Sequence, residues 1–588
     1  MSCVCVGSRG SYRYRCYRGC VALNVSVNNR ALIKRLYEIR CRFDSESSNQ
    51  KLQLLRTLDD VTCRSGKELL RLHSALCFIR AFPDTMAHHR AALMAFSRFE
   101  NRVRSLPPAA RASIDDSGIA GTSLNYAFSY AVAVWMTRNF KNRVSLDWDE
   151  MQDTTRLDEL LELILLPAEG DYFDSGYVSS REWIELASAN GGMNDFDWLH
   201  AQLRRAGPRR ILTQFYDAVD LPLTWDLRHS AFSKTDNVFA VGNIKERRRG
   251  MRKRTSRVKA EIARPIRSLR KLTPDVGSRL IDVAMASLAV RHRETYHFNF
   301  ANPREVYVAD AGEGISVAVF GLSPGHRFPL ECTMGYLILS NGVPIGYGGS
   351  SAIFKQVNTG LNIFDEYRGS EAAFLWVQVM RVYHQLVGCT RFIANPYQIG
   401  HDNSEALKSG AFWFYYRLGY RPALPEIREK ASLEWKKMRH GKSYRSDVRT
   451  LRKLSSCDMH LLLPGARASD LFEEHWLETS SMIATRQLAA AGGRTRDQSA
   501  QRVVASVSRD LGIRSLGNWT ADERQAFKHI APFVAAANPR KWPVDAKRSM
   551  RKLLRSKGGA EEAVFARLLS QHDCFLTRLR ASCRKADD

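Results

Sequence analysis

The chain has 588 residues, too many for one ordinary core, with 44% hydrophobic and 25% charged residues, a composition of folded rather than disordered protein. Its 88 Lys/Arg against 61 Asp/Glu leave a net charge of +27, which favours acidic partners: nucleic acid, an anionic membrane surface or phosphorylated ligands. The longest apolar runs, near Ala127–Trp135 and Leu160–Pro167, are too short to cross a bilayer, so no membrane span is expected.

Twelve cysteines are spread along the chain, five of them (Cys3, Cys5, Cys16, Cys20 and Cys41) near its start. Their spacing is unusual for zinc and no His supports it, so no metal site is expected and residues 1–45 read as a poorly ordered leader. Arg9, Arg13 and Arg15 interrupt any apolar signal sequence, and the other cysteines read as single buried thiols. Together these features point to a cytoplasmic protein.

From 46 to 244 the pattern is mainly helical. Helices are predicted over Lys51–Asp59, Gly66–Phe82, Met86–Leu106, Thr122–Phe140, Leu157–Leu166 and Ser180–Ala189. Thr122 is the expected N-cap of the fourth, and Ser179 or Ser180 of the last. Trp148, Trp183, Trp198 and Trp225 promise a core. Asp115-Asp-Ser-Gly reads as a turn rather than a metal site.

Residues 245–275 read as a basic linker. Its part from 245 to 271 holds 13 Lys/Arg against two Glu, a net +11. Such a segment is either a solvated connection or an arm that grips phosphates of nucleic acid or another acidic partner. No aromatic is interleaved, so base stacking is not indicated.

Residues 276–465 alternate strand and helix patterns. A helix over Ser278–His292 precedes strands at Ile315–Leu322, Met334–Ser340 and Val343–Ile353. Asn341-Gly342 between the last two is a strong hairpin signal. A strand at Val357–Phe364 then leads through Arg368-Gly369 into a helix over Ser370–Val387. A strand at Thr390–Ala394, a helix over Asn403–Leu418 and a short strand at Tyr420-Arg421 follow. Met459–Leu463 is a possible closing strand. From 466 to 588 the chain reads as helical, with a capping box at Thr520 and Glu523, a kink or stop at Pro532 and a basic amphipathic helix at Lys547–Lys557.

Strand, Arg-Gly turn and small-residue helix start form an arrangement suited to a pyrophosphate, because first-turn N–H groups and the helix dipole face the anion. With Tyr415-Tyr-Arg-Leu-Gly419-Tyr420 downstream, the segment from about Arg304 to Pro422 resembles the GNAT superfamily of acetyl-CoA-dependent N-acyltransferases. The expected class is therefore α+β and multidomain: a mainly helical N-terminal domain, a central GNAT-like mixed α/β domain and a helical C-terminal region.

The resemblance implies acetyl-CoA as acyl donor, an amine as acceptor and a specific set of residues. Ile363 and Phe364 end the strand that pairs with the pantetheine arm, and a backbone N–H near Phe364 supplies the oxyanion donor. Arg368, Gly369, Ser370, Ala372 and Ala373 form the pyrophosphate loop. Asn403 matches the Asn of the family's second motif, although strict register from Tyr415 places Lys408 there. Tyr415 is the implied general acid to the departing thiolate. Substrate contacts are expected from Tyr397, Gln398 and His401. Asp365, Glu366 and Asp402 are nearby carboxylates, and His384 reads as structural. Glu371 stands where the family has Gly. It must either point away or mark a decayed site, because a second anion there would be repelled. The resemblance also requires the strands at 357–364 and 390–394 to pair at their start and then part. The competing reading is a GNAT-like scaffold without catalysis, gripping an acidic partner through its basic segments.

Overall fold

A computed structural model describes residues 29–587 apart from 59–62, 152, 253–256, 370 and 442. The fold class is α+β. Residues 1–28 of the expected leader lie outside the described residues. The remainder of that segment includes a helix, Asn29–Ile39, which buries Ile33, Leu36 and Ile39. Helices Ser45–Thr57, Gly66–Ala81, Met86–Ser97 and Phe99–Arg104 follow.

The N-terminal region departs from the helical expectation at Thr122. That residue caps no helix. Ser123–Ala127 is a strand (β1), and the helix begins at Tyr130. With Val144–Leu146 (β2) and Pro222–Asp226 (β3), it forms a three-stranded antiparallel sheet in the order β1-β3-β2. Strand β3 carries Trp225, whose ring meets Phe140 at 4.6 Å and Trp135 at 6.2 Å. Ser179 caps its helix in a full capping box with Glu182, as its spacing suggests.

The stretch after 244 is more than a solvated linker. Val258–Ala263 is a helix, and Leu269–Lys271 (β4) joins the edge of the central sheet. Arg247 is buried and its backbone N–H donates to Pro83 O at 2.7 Å.

The central sheet continues with Ala301–Gly312 (β5), Ile315–Leu322 (β6), Cys332–Ser340 (β7), Val343–Ile353 (β8), Gln356–Thr359 (β9), Asn362–Ile363 (β10), Arg391–Ala394 (β11), Arg421–Pro422 (β12) and Met459–Leu462 (β13). Its order is β12-β13-β11-β9-β8-β7-β6-β5-β4, with β10 paired to β8. Among the described residues only β9 and β11 run parallel. The Asn341-Gly342 turn has φ of 49° and 79°, the left-handed pair that a two-residue hairpin needs. Its Asn341 side chain donates to Ala81 O and Lys245 O, both at 3.1 Å, tying the hairpin to the N-terminal helices.

The helix Ala372–Val387 covers one sheet face and buries twelve of its residues. The expected helix over Asn403–Leu418 is two, Ser404–Ser409 and Ala411–Arg417, broken at Gly410 with φ of 69°. The C-terminal region is helical, opened in part by the Thr520–Glu523 capping box. Pro532 stays inside the helix Ala521–Ala536 and does not end it.

The C-terminal helices dock through buried charge. Arg327 pairs with Glu305 at 3.1 Å and donates to the carbonyls of Lys557 and Gly559 at 2.9 and 2.7 Å. Lys557 pairs with Glu562, and all four side chains are essentially inaccessible. Lys355 bridges Asp470 and Asp573 at 3.1 and 2.8 Å. Buried residues of all three regions form one connected core rather than three separate ones.

Candidate functional site

Strand β9 pairs with β11 at Gln356–Arg391, Val357–Phe392 and Asn358–Ile393, and there the parallel ladder stops. The chain beyond, β10, stays with β8 in the register that β9 began: Thr359 faces Ser350 and Asn362 faces Tyr347. The predicted strand Val357–Phe364 is thus one line along β8, interrupted at Gly360-Leu361. On its other side a gap opens toward β11.

Three side chains fill or border that gap, and a fourth packs one strand away from it, on the sheet face opposite Tyr336. Tyr336 donates its hydroxyl to Gly360 O. Tyr415 is buried, and its hydroxyl bonds the backbone of Leu361. Burial pushes this phenol well above its ordinary pKa, and the Leu361 contact only partly offsets that. Gln398, on the short helix Pro396–Ile399 that Asn395 caps, points its amide nitrogen at Thr359 O (3.0 Å) and its oxygen at Gly360 N (3.2 Å), the orientation in which both atoms find partners. A Cβ at Gly360 would lie 2.7 Å from this amide.

The fourth is His297. Gly335 and Gly349 face each other across β7 and β8, and the imidazole rests on this bare patch. A Cβ at Gly335 would stand 2.8 Å from His297 Cβ, and one at Gly349 would overlap the ring. Gly349 and Gly360 are adjacent in the β8 register, so His297 and Gln398 occupy neighbouring positions on one sheet face. Burial lowers the His297 pKa to about 4, against a partial rise from its bond to the Ser350 backbone. The ring is therefore neutral at physiological pH, and its Nδ1 has no hydrogen-bond partner. A neutral imidazole with an unengaged nitrogen is a proton acceptor in waiting.

The expected pyrophosphate loop is built differently from its simple reading. Gly369 has φ of 94°, which only glycine adopts cheaply, and the helix starts at Ala372. The N–H groups of Ala372 and Ala373 in its first turn lack intrahelical acceptors. Ser370 lies outside the described residues. Glu371 is wholly buried and turned inward, paired with the Arg247 guanidinium and accepting the Arg252 N–H at 3.0 Å. Arg252 also pairs with Glu313 at 2.8 Å and stacks over Phe374 at 3.9 Å. The basic segment thus straps the start of this helix and neutralises the carboxylate within the protein.

Other expected residues fall into structural roles. Ile363 pairs with Gly346 on β8, and the Phe364 N–H donates to Ile345 O at 3.0 Å, so that donor is not free for an oxyanion. Phe364 stacks on Tyr347 and lies under Arg291. Arg368 is exposed and bridges Asp365 and Glu405 at 2.8 and 2.7 Å. Asn403 caps its helix by accepting the Ala406 N–H at 3.0 Å. Tyr397 and His401 are largely exposed, with Asp402 3.6 Å from His401. His384 bonds Cys389 O at 2.7 Å, the structural role expected of it. Glu366, one of the nearby carboxylates, is buried. Burial opposes its charge, but Arg291 (3.1 Å) and Lys234 (3.6 Å) outweigh it and hold the carboxyl at about 2.

His297 escaped the sequence reading because its seat is a contact between segments far apart in the chain. A register shift between Ile338 and Leu339 pairs Gly335 with Gly349 rather than Gly348; a glycine faces Gly335 in either register, and no local pattern places His297 on that pair.

No protein-family model, curated protein or solved structure matches this chain.

Proposed function

We propose that the central sheet is the platform of an acyl-CoA-dependent N-acyltransferase of the GNAT kind. The observation that carries this reading is the parting of β9 from β11 after Asn358, with Tyr415 bonded into the gap. A thioester arm laid in that gap would meet the strand edge at Thr359–Leu361, which Gln398 and Tyr415 cover. The inward turn of Glu371 toward Arg247 removes the charge conflict that the sequence raises for an anion at the helix start. Arg248 and Arg249, exposed on the same strap, add positive potential nearby.

Acyl-CoA would supply the activated acyl group as a thioester. The chain's residues would orient and exchange protons. His297 Nδ1 would take the proton that the attacking amine loses as its C–N bond forms. Tyr415 would donate its hydroxyl proton to the sulfur as the C–S bond breaks. The oxyanion donor would be the Gly360 N–H, freed when Gln398 withdraws, since the Phe364 N–H is engaged in the sheet and the Leu361 backbone bonds Tyr415. Gln398 must withdraw for the arm to pair with Thr359 and Gly360.

One observation favours the second reading, a platform without catalysis. Gln398 already satisfies the backbone groups that the arm would use. In that reading the exposed basic residues of 245–271 bind an acidic partner such as nucleic acid. The deciding experiment is calorimetric titration of the full chain with acetyl-CoA, in parallel with Gln398→Ala. Binding by both, tighter in the variant, supports the transferase. Silence from both at millimolar acetyl-CoA overturns it. Steeply salt-dependent binding to nucleic acid, lost on reversing Arg248 and Arg249, would then support the platform.

A further inference from the structure

On the sheet face that seats His297, the next row of side chains is Ser351, Asn358, Ile393 and His460, paired in that order across β8, β9, β11 and β13. They floor a cavity of about 290 Å³ roofed by the segment around Leu471–Leu477. Ser351 and Asn358 stand two residues from Gly349 and Gly360, so they share the face of the gap and lie one step along the strands from it.

The wall of this cavity runs against the charge of the chain. Basic residues outnumber acidic ones 88 to 61 overall. The wall nevertheless holds Glu331, Asp458, Glu473 and Glu474 and has no Lys or Arg. Glu331 accepts the Ser351 hydroxyl. Asp458 lies 3.9 Å from His460, and Glu473 lies 3.7 Å from His475. Among the described residues no cation pairs with Glu474. Burial, then the nearby Asp458 and Glu331, raise its pKa, the signature of carboxylates crowded without a counter-charge. Asn358 Oδ1, an acceptor on the wall, is buried without a hydrogen-bond partner, while His460 accepts an Arg391 N–H on Nδ1 at 3.2 Å, which leaves its Nε2 as a donor near Asp458. Phe472 adds an apolar surface to the wall.

We propose that this cavity binds a primary alkylammonium group, presented by a free polyamine or by a lysine side chain. The alkyl stem would lie along Phe472 and Ile393 while the ammonium meets the carboxylates, which can accept its three donors. On the acyltransferase reading, on which this part alone rests, the bound amine is the acceptor, held one strand step from His297 and the gap. The electrostatics of the cavity do not depend on that reading.

The test is calorimetry of the full chain, without acetyl-CoA, against two probes: spermidine and an N-acetylated peptide bearing one lysine. Binding of either is expected, and which of them binds identifies the source of the ammonium. Asp458→Asn and Glu474→Gln should each weaken it at least tenfold. Glu474 keeps part of its side chain in solvent and forms no ion pair among the described residues, so its substitution is expected to leave the fold intact. Silence from both probes at millimolar concentration overturns the proposal, as does binding that neither variant changes. Acetyl-CoA titrated separately keeps the two readings apart. Amine binding without acetyl-CoA binding leaves the cavity and removes acyl transfer, and the reverse removes the cavity.

Discussion

Gln398 holds Gly360 as a neighbouring strand would: its amide oxygen faces the Gly360 N–H at 3.2 Å while its nitrogen reaches Thr359 O at 3.0 Å. One side chain thus stands in for the peptide unit that β11 withdraws. Replacing it with Ala leaves a buried donor and acceptor to water, at a cost of about 1–3 kcal/mol. Thermal denaturation should show Gln398→Ala destabilised by that amount, while calorimetry shows tighter acetyl-CoA binding. An unchanged melting temperature would mean that the amide closes nothing.

Arg247 and Glu371 form a buried pair separated by 124 positions in the chain. Arg247→Ala strands a buried carboxylate and should cost roughly 3–5 kcal/mol. The Arg247→Met, Glu371→Gln double variant should recover much of that loss, as a denaturant double-mutant cycle would reveal. Additive losses would show that the two side chains are not coupled.

The hairpin at Asn341-Gly342 and strands β6 to β8 are legible in the sequence because their signals are local: alternation, apolar runs and an Asn-Gly pair that readily takes positive φ. Strand β5 is not, since Pro303, Arg304 and Glu305 look like loop until Arg327 and the C-terminal helices neutralise Glu305 from afar. Strand β1 reads as helix for a similar reason, its partner β3 lying about a hundred residues on. At the candidate site, Tyr415 is singled out by the family resemblance, and the helix after Gly369 is legible from its apolar run, starting at Ala372 rather than Ser370. His297, the Gln398 closure and the Arg247–Glu371 pair depend on registers and long-range contacts that no local pattern encodes.

Tyr415 and His297 are expected to separate kinetically. Tyr415→Phe should lower kcat by about 100- to 10,000-fold with little change in KM for acetyl-CoA, the range of a lost general acid. Addition of a pre-deprotonated, low-pKa amine should rescue His297→Ala but not Tyr415→Phe. Equal rescue of both would refute the assigned division of protons.

Acid stability carries a second signature of His297. Its folded-state pKa, about 4, lies below the ordinary 6.5. Between those values the unfolded chain binds a proton that the folded chain refuses, so stability falls as pH drops from 6.5 toward 4, by at most about 1.4 kcal/mol per pH unit. His73 and His200, lowered to about 3 and 4, act in the same direction. Denaturant titrations at pH 7 and pH 5 should therefore show a smaller loss for His297→Gln than for the parent chain.

Arg327 sets where this polypeptide can be cut. Its guanidinium finds acceptors on Lys557 and Gly559, and the carboxylate beside it takes the Ala563 N–H at 2.8 Å. A fragment that stops at the seeming module boundary near 465 would bare a salt bridge and the apolar sheet face around it, and should emerge insoluble. Co-expressing 466–588 in trans is the direct way to restore it. The catalytic-looking middle and the helical tail are thus a single unit of heredity, unable to be shuffled apart.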